Sequence, residues 1–581
     1  MKRIYKIISG LLIALGLGSC VPETASSDPH LKEETEEKIK KSEITPSGYQ
    51  QRDACEVTKI KEIDPPFQIS LQNRGIGSFI QRYSHGNFPI SGGPGVSIGD
   101  INNDSFDDIY LPTTESMGRL YINDGTGRFT QANNSPPGPQ LAIGSIMFDY
   151  NNDDFQDILI IGAQEQTTNR GSTRIYRNEG EGEFVDTTNE IGITNLPGGA
   201  RFSGAVCDID NDGDLDIIIG GYINGNSDNG LEDLLFVNQL NRGEERFVEE
   251  AAKRGLNQTS FGNLQGFTYA VLCTDINRDG LADIIMGNDG GLNAPNEAYV
   301  NQGNGTFIEQ AQDLGLNYSY NQKGFPRDGA DTMGIAFGDM NLDGLPDILM
   351  SNYTERTTLA FQGYLEEGRI RFRDVARDIG FTSTNHTNWG IKFVDPDNDM
   401  DEDIISASAI PIKGDYDSTD QYLKNEGLNE GNTIYREILP SSDRRVLERD
   451  SYGLVVSDLD LDGRIDVIIS NKNQPPTILS AVPTNGNYIL YKLRGTVSNR
   501  DAVGSIVRIT ARNGCTIEKY RHIGGSFASS DSAYIHSGLG PAEYAETTVI
   551  WPTGEIEEFG ELEANHVYEL EEGSGEARII K

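Results

Sequence analysis

Short apolar runs recur along most of the chain, and each is entered through a polar loop rich in aspartate. The runs are DIYLP, DILIIG, DIIIGG, DIIMGN, DILMSN, DIISAS and DVIISN, starting at residues 108, 157, 216, 283, 347, 403 and 466. Their β-branched content predicts buried strands. A second strand leads into each loop, as in GSIMFD, SGAVCD and GIAFGD. The residue five before each loop is small: Gly95, Gly144, Ser203, Ala270, Gly334, Gly390 and Gly453. Small residues there allow close approach near a crowded axis. A third strand and a Gly-containing hairpin follow in LYIND-GTGRF, IYRNE-GEGEF and AYVNQ-GNGTF. Copies begin 49 to 67 residues apart, which suits one supersecondary unit per copy.

The loops share the pattern D-x-[DN]-x-D-G-x-x-D. Positions 1, 3, 5 and 9 are Asp100, Asn102, Asp104 and Asp108 in the first loop, and Asp149, Asn151, Asp153 and Asp157 in the second. They are Asp208, Asp210, Asp212 and Asp216 in the third, and Asp275, Asn277, Asp279 and Asp283 in the fourth. The fifth has Asp339, Asn341, Asp343 and Asp347, and the sixth Asp395, Asp397, Asp399 and Asp403. The seventh has Asp458, Asp460, Asp462 and Asp466. Calcium takes six to eight hard oxygen ligands, and alternate side chains of a tight loop can turn inward together to supply them. Position 7 can add a backbone carbonyl. Gly213, Gly280, Gly344 and Gly463 supply the left-handed residue the turn needs at position 6. Ser105, Asp154 and Met400 stand there in the other copies, and Met400 is expected to be strained. Position 12 is never acidic, so these are not EF-hands. A single Asp-Gly loop could be a polar hairpin; all 28 inward positions being Asp or Asn points to metal, with up to seven calcium ions.

Four strands per copy and seven copies predict an all-β fold, a seven-bladed β-propeller with calcium loops. A small β-rich C-terminal domain follows. Phe is followed eight residues later by Gly at Phe184–Gly192, Phe247–Gly255, Phe307–Gly315 and Phe372–Gly380. Phe67–Gly75 repeats this spacing before the first loop, whereas the last copy lacks a fourth strand. The N-terminal segment is therefore expected to complete the last blade, leaving no open sheet edge. The repeats resemble the FG-GAP/VCBS calcium-loop repeats of integrin α-chain propellers and bacterial secreted proteins. SNRDAVGSIVRI, SSDSAYIHSGLG and VIWPTGEIEEF, within 498–559, resemble the ASPIC/UnbV domain. The combination is similar to the cartilage acidic protein family. That resemblance implies extracellular calcium binding and interactions, and no established reaction. The expected organisation is a signal peptide at 1–20, a flexible tether at 21–60, the propeller at 61–485 and the ASPIC/UnbV domain at 486–575.

The first residues change the picture of location. Lys2, Arg3 and Lys6 precede an apolar run too short to span a bilayer comfortably. It ends in Leu17-Gly18-Ser19-Cys20, which resembles a bacterial lipobox with Cys20 as the acylated residue. The expectation is an exported lipoprotein of the bacterial outer membrane or cell surface, held by its N-terminal lipid alone. Acidic residues outnumber basic ones 89 to 48, and the net charge of −41 excludes nucleic acid as a partner. Cys55, Cys207, Cys273 and Cys515 lack metal-type spacing. Cys207 and Cys273 lie in apolar strands and are expected to be buried, unpaired thiols.

No reaction centre stands out. Gly95-Val96-Ser97-Ile98-Gly99 matches a nucleophile elbow, but the repeat alignment makes it the strand before the first loop, with no helix following. The six histidines lack zinc spacing. His386 and Trp389 precede the sixth loop strand, where packing is the simpler role. Trp551 is expected to pack a small core. The chain therefore reads as a non-enzymatic binding, adhesion or scaffold protein whose partner is a protein or glycan. A carbohydrate-active enzyme or a lectin with its site in the propeller funnel is the alternative.

Overall fold

A computed structural model describes residues 52, 66–69, 74–76, 79–82 and 92–581, apart from 116, 140, 164–172, 181, 195, 224–229, 257–266, 290–294, 318–330, 354–357, 382–386, 410–418, 430–431 and 439–448. Cys20, the signal peptide, Cys55 and His386 lie outside the described residues, as does the expected tether apart from Arg52.

The described chain is built almost wholly of strands, arranged in nine four-stranded sheets. Seven of these each hold one aspartate loop, between their first and second strands. In the second sheet Ala142–Phe148, Asp157–Gly162, Arg174–Asn178 and Phe184–Asp186 pair antiparallel in chain order. The first strand is buried along its whole length and the fourth is largely exposed. That gradient explains the composition, with β-branched residues inside and polar residues at the outer edge.

The seventh sheet is assembled differently. Ser451–Ser457, Asp466–Asn471 and Thr477–Ala481 are joined by Phe67–Ile69, with Phe67 opposite Ala481. The early Phe–Gly segment thus supplies the missing fourth strand. It also reaches the first sheet: the Phe129 N–H donates to Arg74 O at 2.7 Å, and a Cβ on Gly75 would stand 2.0 Å from Phe129 O. Gly75 has φ +90°, which a side chain would strain. The same Phe-to-Gly link recurs where Phe247 N–H donates to Ile191 O at 2.7 Å. Core residues of the first and seventh sheets, Val96, Ile98, Val455 and Ile468, pack together.

Cys207 and Cys273 are not free thiols. They form a disulfide with Cα atoms 6.1 Å apart, joining the first strands of the third and fourth sheets. Like strands of successive copies lie side by side, so a separation of 66 residues, one repeat, brings the two sulfurs together. Cys515 is buried in the core of the C-terminal domain.

The last two sheets form the C-terminal domain. Asn487–Arg494 lies between Tyr534–Gly540 and, in parallel, Val567–Glu571, which pairs with Ala577–Ile579. Ile506–Ala511 lies between Thr516–Tyr520 and Tyr544–Ile550, which pairs with Ile556–Glu563. Tyr491, Val507, Ile517 and Trp551 belong to one core, and Trp551 Nε1 donates to Glu557 at 2.8 Å. The domain extends past the expected boundary at 575, because Lys581 N–H still donates to Val567 O, at 3.4 Å.

Candidate metal centres and the face they share

Each loop is held by the same local hydrogen bonds. The first aspartate accepts the backbone N–H of position 5 on one oxygen and that of position 6 on the other. Asp149 does so at 3.1 and 2.8 Å, Asp208 at 3.0 and 2.8 Å, and Asp339 at 3.0 and 2.9 Å. The aspartate at position 5 accepts the N–H of position 7, as in Asp279 with Leu281 at 3.0 Å. Position 6 is left-handed in every loop, including Ser105 at φ 74°, Asp154 at 71° and Met400 at 88°. Position 4 is left-handed too, at Asn103, Asn152, Asn211, Arg278, Leu342, Asn398 and Leu461. Two left-handed residues two apart turn the alternate side chains to one side.

Oxygens converge as a result. One ligand atom each from Asp208, Asp210 and Asp216 lies within 4.8 Å of the others. The same holds for Asp395, Asp397 and Asp399, and for Asp458, Asp460 and Asp462. Asn151 Oδ1 and Asp210 Oδ1, both at position 3, are buried and have no hydrogen-bond partner. Orphaned buried oxygens in an all-oxygen set fit a hard divalent cation. Burial pushes Asp149 and Asp208 up to about 7 and Asp108 up to about 8. A cation at such carboxylates would hold them ionised.

The closing aspartates also tie the sheet together. Asp108 accepts the N–H of Ile101 and of Asn123, at 3.2 and 2.7 Å. Asp157, Asp216 and Asp283 accept Asn178, Asn238 and Asn301 N–H at 2.8 Å each. The asparagine side chains were not among the expected site residues. Their Nδ2 groups reach back to the preceding loop, Asn178 to Ile101 O at 2.8 Å, Asn238 to Tyr150 O at 2.8 Å and Asn301 to Ile209 O at 2.7 Å. Asn123 reaches Leu459 O of the seventh loop at 2.8 Å. The signal lay in the third-strand runs LYIND, IYRNE and AYVNQ, where the Asn repeats.

Several loops carry protein cations. Arg254 meets Asp210 at 3.1 Å, Lys424 meets Asp397 at 2.8 Å, and Arg494 meets Asp154 at 3.0 Å. Arg494 belongs to the C-terminal domain, which sits on this loop face. Asp501 accepts Asp149 N–H at 2.8 Å, Gly538 N–H donates to Asp395 at 3.1 Å, and Lys519 pairs with Glu402 at 2.5 Å. Arg278 of the fourth loop pairs with Glu518. Arg52, expected in the tether, donates its N–H to Asp343 O of the fifth loop at 2.9 Å.

From this domain the segment Ile523–Ser530 runs among the first strands. Ala528 N–H donates to Ser203 Oγ at 2.8 Å, Ile335 N–H to Gly525 O at 2.8 Å and Val96 N–H to Ser529 Oγ at 3.2 Å. A Cβ on Gly95 would stand 1.8 Å from Ala528 O, and one on Gly453 2.6 Å from Ser529 Oγ. The small positions before the loops make room for this segment. Phe527 and Trp389 lie in one buried aromatic cluster with Phe202, Tyr269 and Tyr452, so Trp389 packs. Ser97 is a strand residue bonded to Ser145 Oγ at 2.7 Å.

Comparison with known proteins agrees with the two kinds of unit. Residues 100–160, 149–219 and 275–350 match the FG-GAP-like repeat, and residues 495–577 match the ASPIC and UnbV family. The chain is 27% identical over 386 residues to cartilage acidic protein 1 of Xenopus tropicalis, covering 64% of this chain and 54% of that one. It is 25% identical over 443 residues to the Homo sapiens protein of the same name, covering 74% and 59%. The chain thus spans little more than half the length of these curated relatives. Among solved structures, BBS1N in complex with ARL6DN aligns with a TM-score of 0.39 and 9% identity, covering 72% of this chain and 97% of that one.

Proposed function

We propose that this chain is a calcium-stabilised binding or scaffold protein, built as a closed seven-bladed propeller capped on its loop face by the ASPIC/UnbV domain. The observation that carries the calcium reading is the repeated loop template with orphaned oxygens at Asn151 and Asp210. Positions 1, 3, 5 and 9 of the loops would hold the ions. Support for closure comes from the Asn123 bond to Leu459 O and the Arg74–Phe129 link.

Several features favour a binding role over chemistry in a funnel. Phe527 to Ser530 occupy the space between the first strands, and the acids of the loops are committed to their own backbone. A partner, protein or glycan, would then meet the outer loops and sheet edges. The disulfide suits an oxidising compartment, in keeping with export and with a lipid anchor at Cys20. Two experiments test the reading. Calorimetric titration of the chelator-treated chain with calcium should give saturable binding, and no heat and no shift in melting would overturn it. A Cys20→Ala chain should leave the membrane fraction; its retention there would remove the lipid anchor.

A further inference from the structure

The first loop differs from its six counterparts in what stands on its leading aspartate. Lys492, on the strand Asn487–Arg494 of the C-terminal domain, places Nζ 2.9 Å from Asp100 Oδ2. Its cross-strand partner is Tyr534. The Tyr534 hydroxyl donates to Ser105 O, at position 6 of the same loop, at 2.7 Å, and Lys492 Nζ lies 5.8 Å from the Tyr534 ring centroid. Ser532 donates to Asp107, at position 8. Three side chains of the C-terminal domain therefore close on one loop. Among the described residues the other six leading aspartates make no ion pair.

The lone pairs of Asp100 are nearly used. Oδ1 accepts Asp104 N–H at 2.9 Å, and Oδ2 accepts Ser105 N–H at 3.0 Å as well as the Lys492 ammonium. Each carboxylate oxygen offers about two acceptor sites, so Oδ2 is saturated. Asp100 is 3% exposed, so water does little to screen two cations placed side by side there. The ammonium is held in place by its own strand, so it competes with a free ion as an intramolecular occupant.

We propose that the first loop is a lysine socket. Lys492 and a divalent cation are alternative occupants of Asp100, so this loop seats the C-terminal domain and takes calcium more weakly than it would without the lysine. The inference rests on the calcium reading given above.

The test is a calcium titration of the full chain, followed by heat and by native mass spectrometry, alongside Lys492→Met, which keeps the stem against Tyr534. The variant should bind one ion more at a given subsaturating calcium level, or tighten one site by about tenfold. The gain should vanish in the double variant with Asp100→Asn. A measurement on the unaltered chain serves if the variant does not fold. Amine-reactive labelling of Lys492 should rise several-fold as calcium is raised to saturation. Equal ion counts and affinities in a calcium-binding pair, or labelling of Lys492 that ignores calcium, would overturn the socket. Failure of both proteins to bind calcium at all would remove the metal reading itself, and the alternative occupancy with it.

Discussion

Arg74 grips Asp466 with both ends of its guanidinium, at 3.0 and 3.2 Å, across 392 residues of sequence. The other end of that carboxylate's story is local. In the earlier sheets the closing aspartate accepts a backbone N–H from the end of the third strand, as Asp157 does from Asn178. In the seventh sheet Ala481 N–H donates to Ile465 O instead, and Arg74 takes the place at Asp466. The segment that completes the sheet thus also completes its loop.

Arg74→Ala should therefore be costly. Burial raises Asp466 to about 6, and the Arg74 charge opposes that rise. In the chelator-treated chain, removing the guanidinium leaves a buried carboxylate without its counter-charge, a loss of roughly 3 kcal/mol. Arg74→Lys should recover only part, because an ammonium cannot bind both oxygens in a fork. Urea unfolding midpoints with chelator present would decide this, and equal midpoints for the wild type and Arg74→Ala would refute it.

Metal removal should invert the ordinary pH dependence of stability. Burial raises Asp149, Asp208 and Asp279 to about 7 and Asp108 to about 8, whereas the unfolded carboxyl titrates near 3.8. The folded metal-free chain thus binds more protons than the unfolded chain between those values. Their contribution is full below about 3.8 and is lost as pH rises towards 8. His522 and His536 act the other way: burial lowers both to about 4 from 6.5, so their contribution is lost as pH falls through that window. The aspartates outnumber them. The chelated chain is expected to melt lower at pH 8 than at pH 6, and calcium should remove the difference. Melting curves with and without chelator at both pH values check this; a chelated chain that is more stable at pH 8 contradicts it.

The Cys207–Cys273 bridge should be worth about 4 kcal/mol by loop-closure entropy for its 66-residue span. Cys207→Ala with Cys273→Ala is expected to lower the unfolding midpoint and leave calcium binding in place. The pair spans neighbouring sheets, so its loss should also weaken the third-to-fourth contact first. Hydrogen exchange localised to Gly204–Cys207 and Thr268–Thr274 would show it. Uniform exchange across all sheets would argue against a local role.

Loops and strands were legible because seven copies multiply a weak local signal. The displaced fourth strand was legible for the same reason, through the spacing from Phe67 to Gly75. The disulfide was not, although its two cysteines sit on equivalent strands of adjacent copies; buried thiols are the common outcome in apolar strands, and only packing shows the approach. The asparagine stitches were visible as letters, yet their reach to the preceding loop depends on how successive sheets stack. The placement of Ile523–Ser530 among the first strands had no local signature at all. It follows from contacts made by residues several hundred positions away, such as Val96 and Ser203.

That segment supplies the last prediction. Gly95 has no room for a methyl group, since a Cβ there would meet Ala528 O at 1.8 Å and Ala528 Cβ at 3.0 Å. The obstacle is backbone, which cannot rotate away as a side chain can. Gly95→Ala should displace Phe527–Ser530 and leave the Val96 N–H without its Ser529 acceptor. Overpacking costs about 1–3 kcal/mol, and an unsatisfied buried donor adds about 1–3 kcal/mol. The C-terminal domain has its own two-sheet core around Tyr491 and Trp551, so it should outlast the loosened contact. The wild-type chain is thus expected to melt in one step, and Gly95→Ala in two, the lower step belonging to the seven loop-bearing sheets. A single unshifted transition for Gly95→Ala in scanning calorimetry would show that the segment does not couple the two parts.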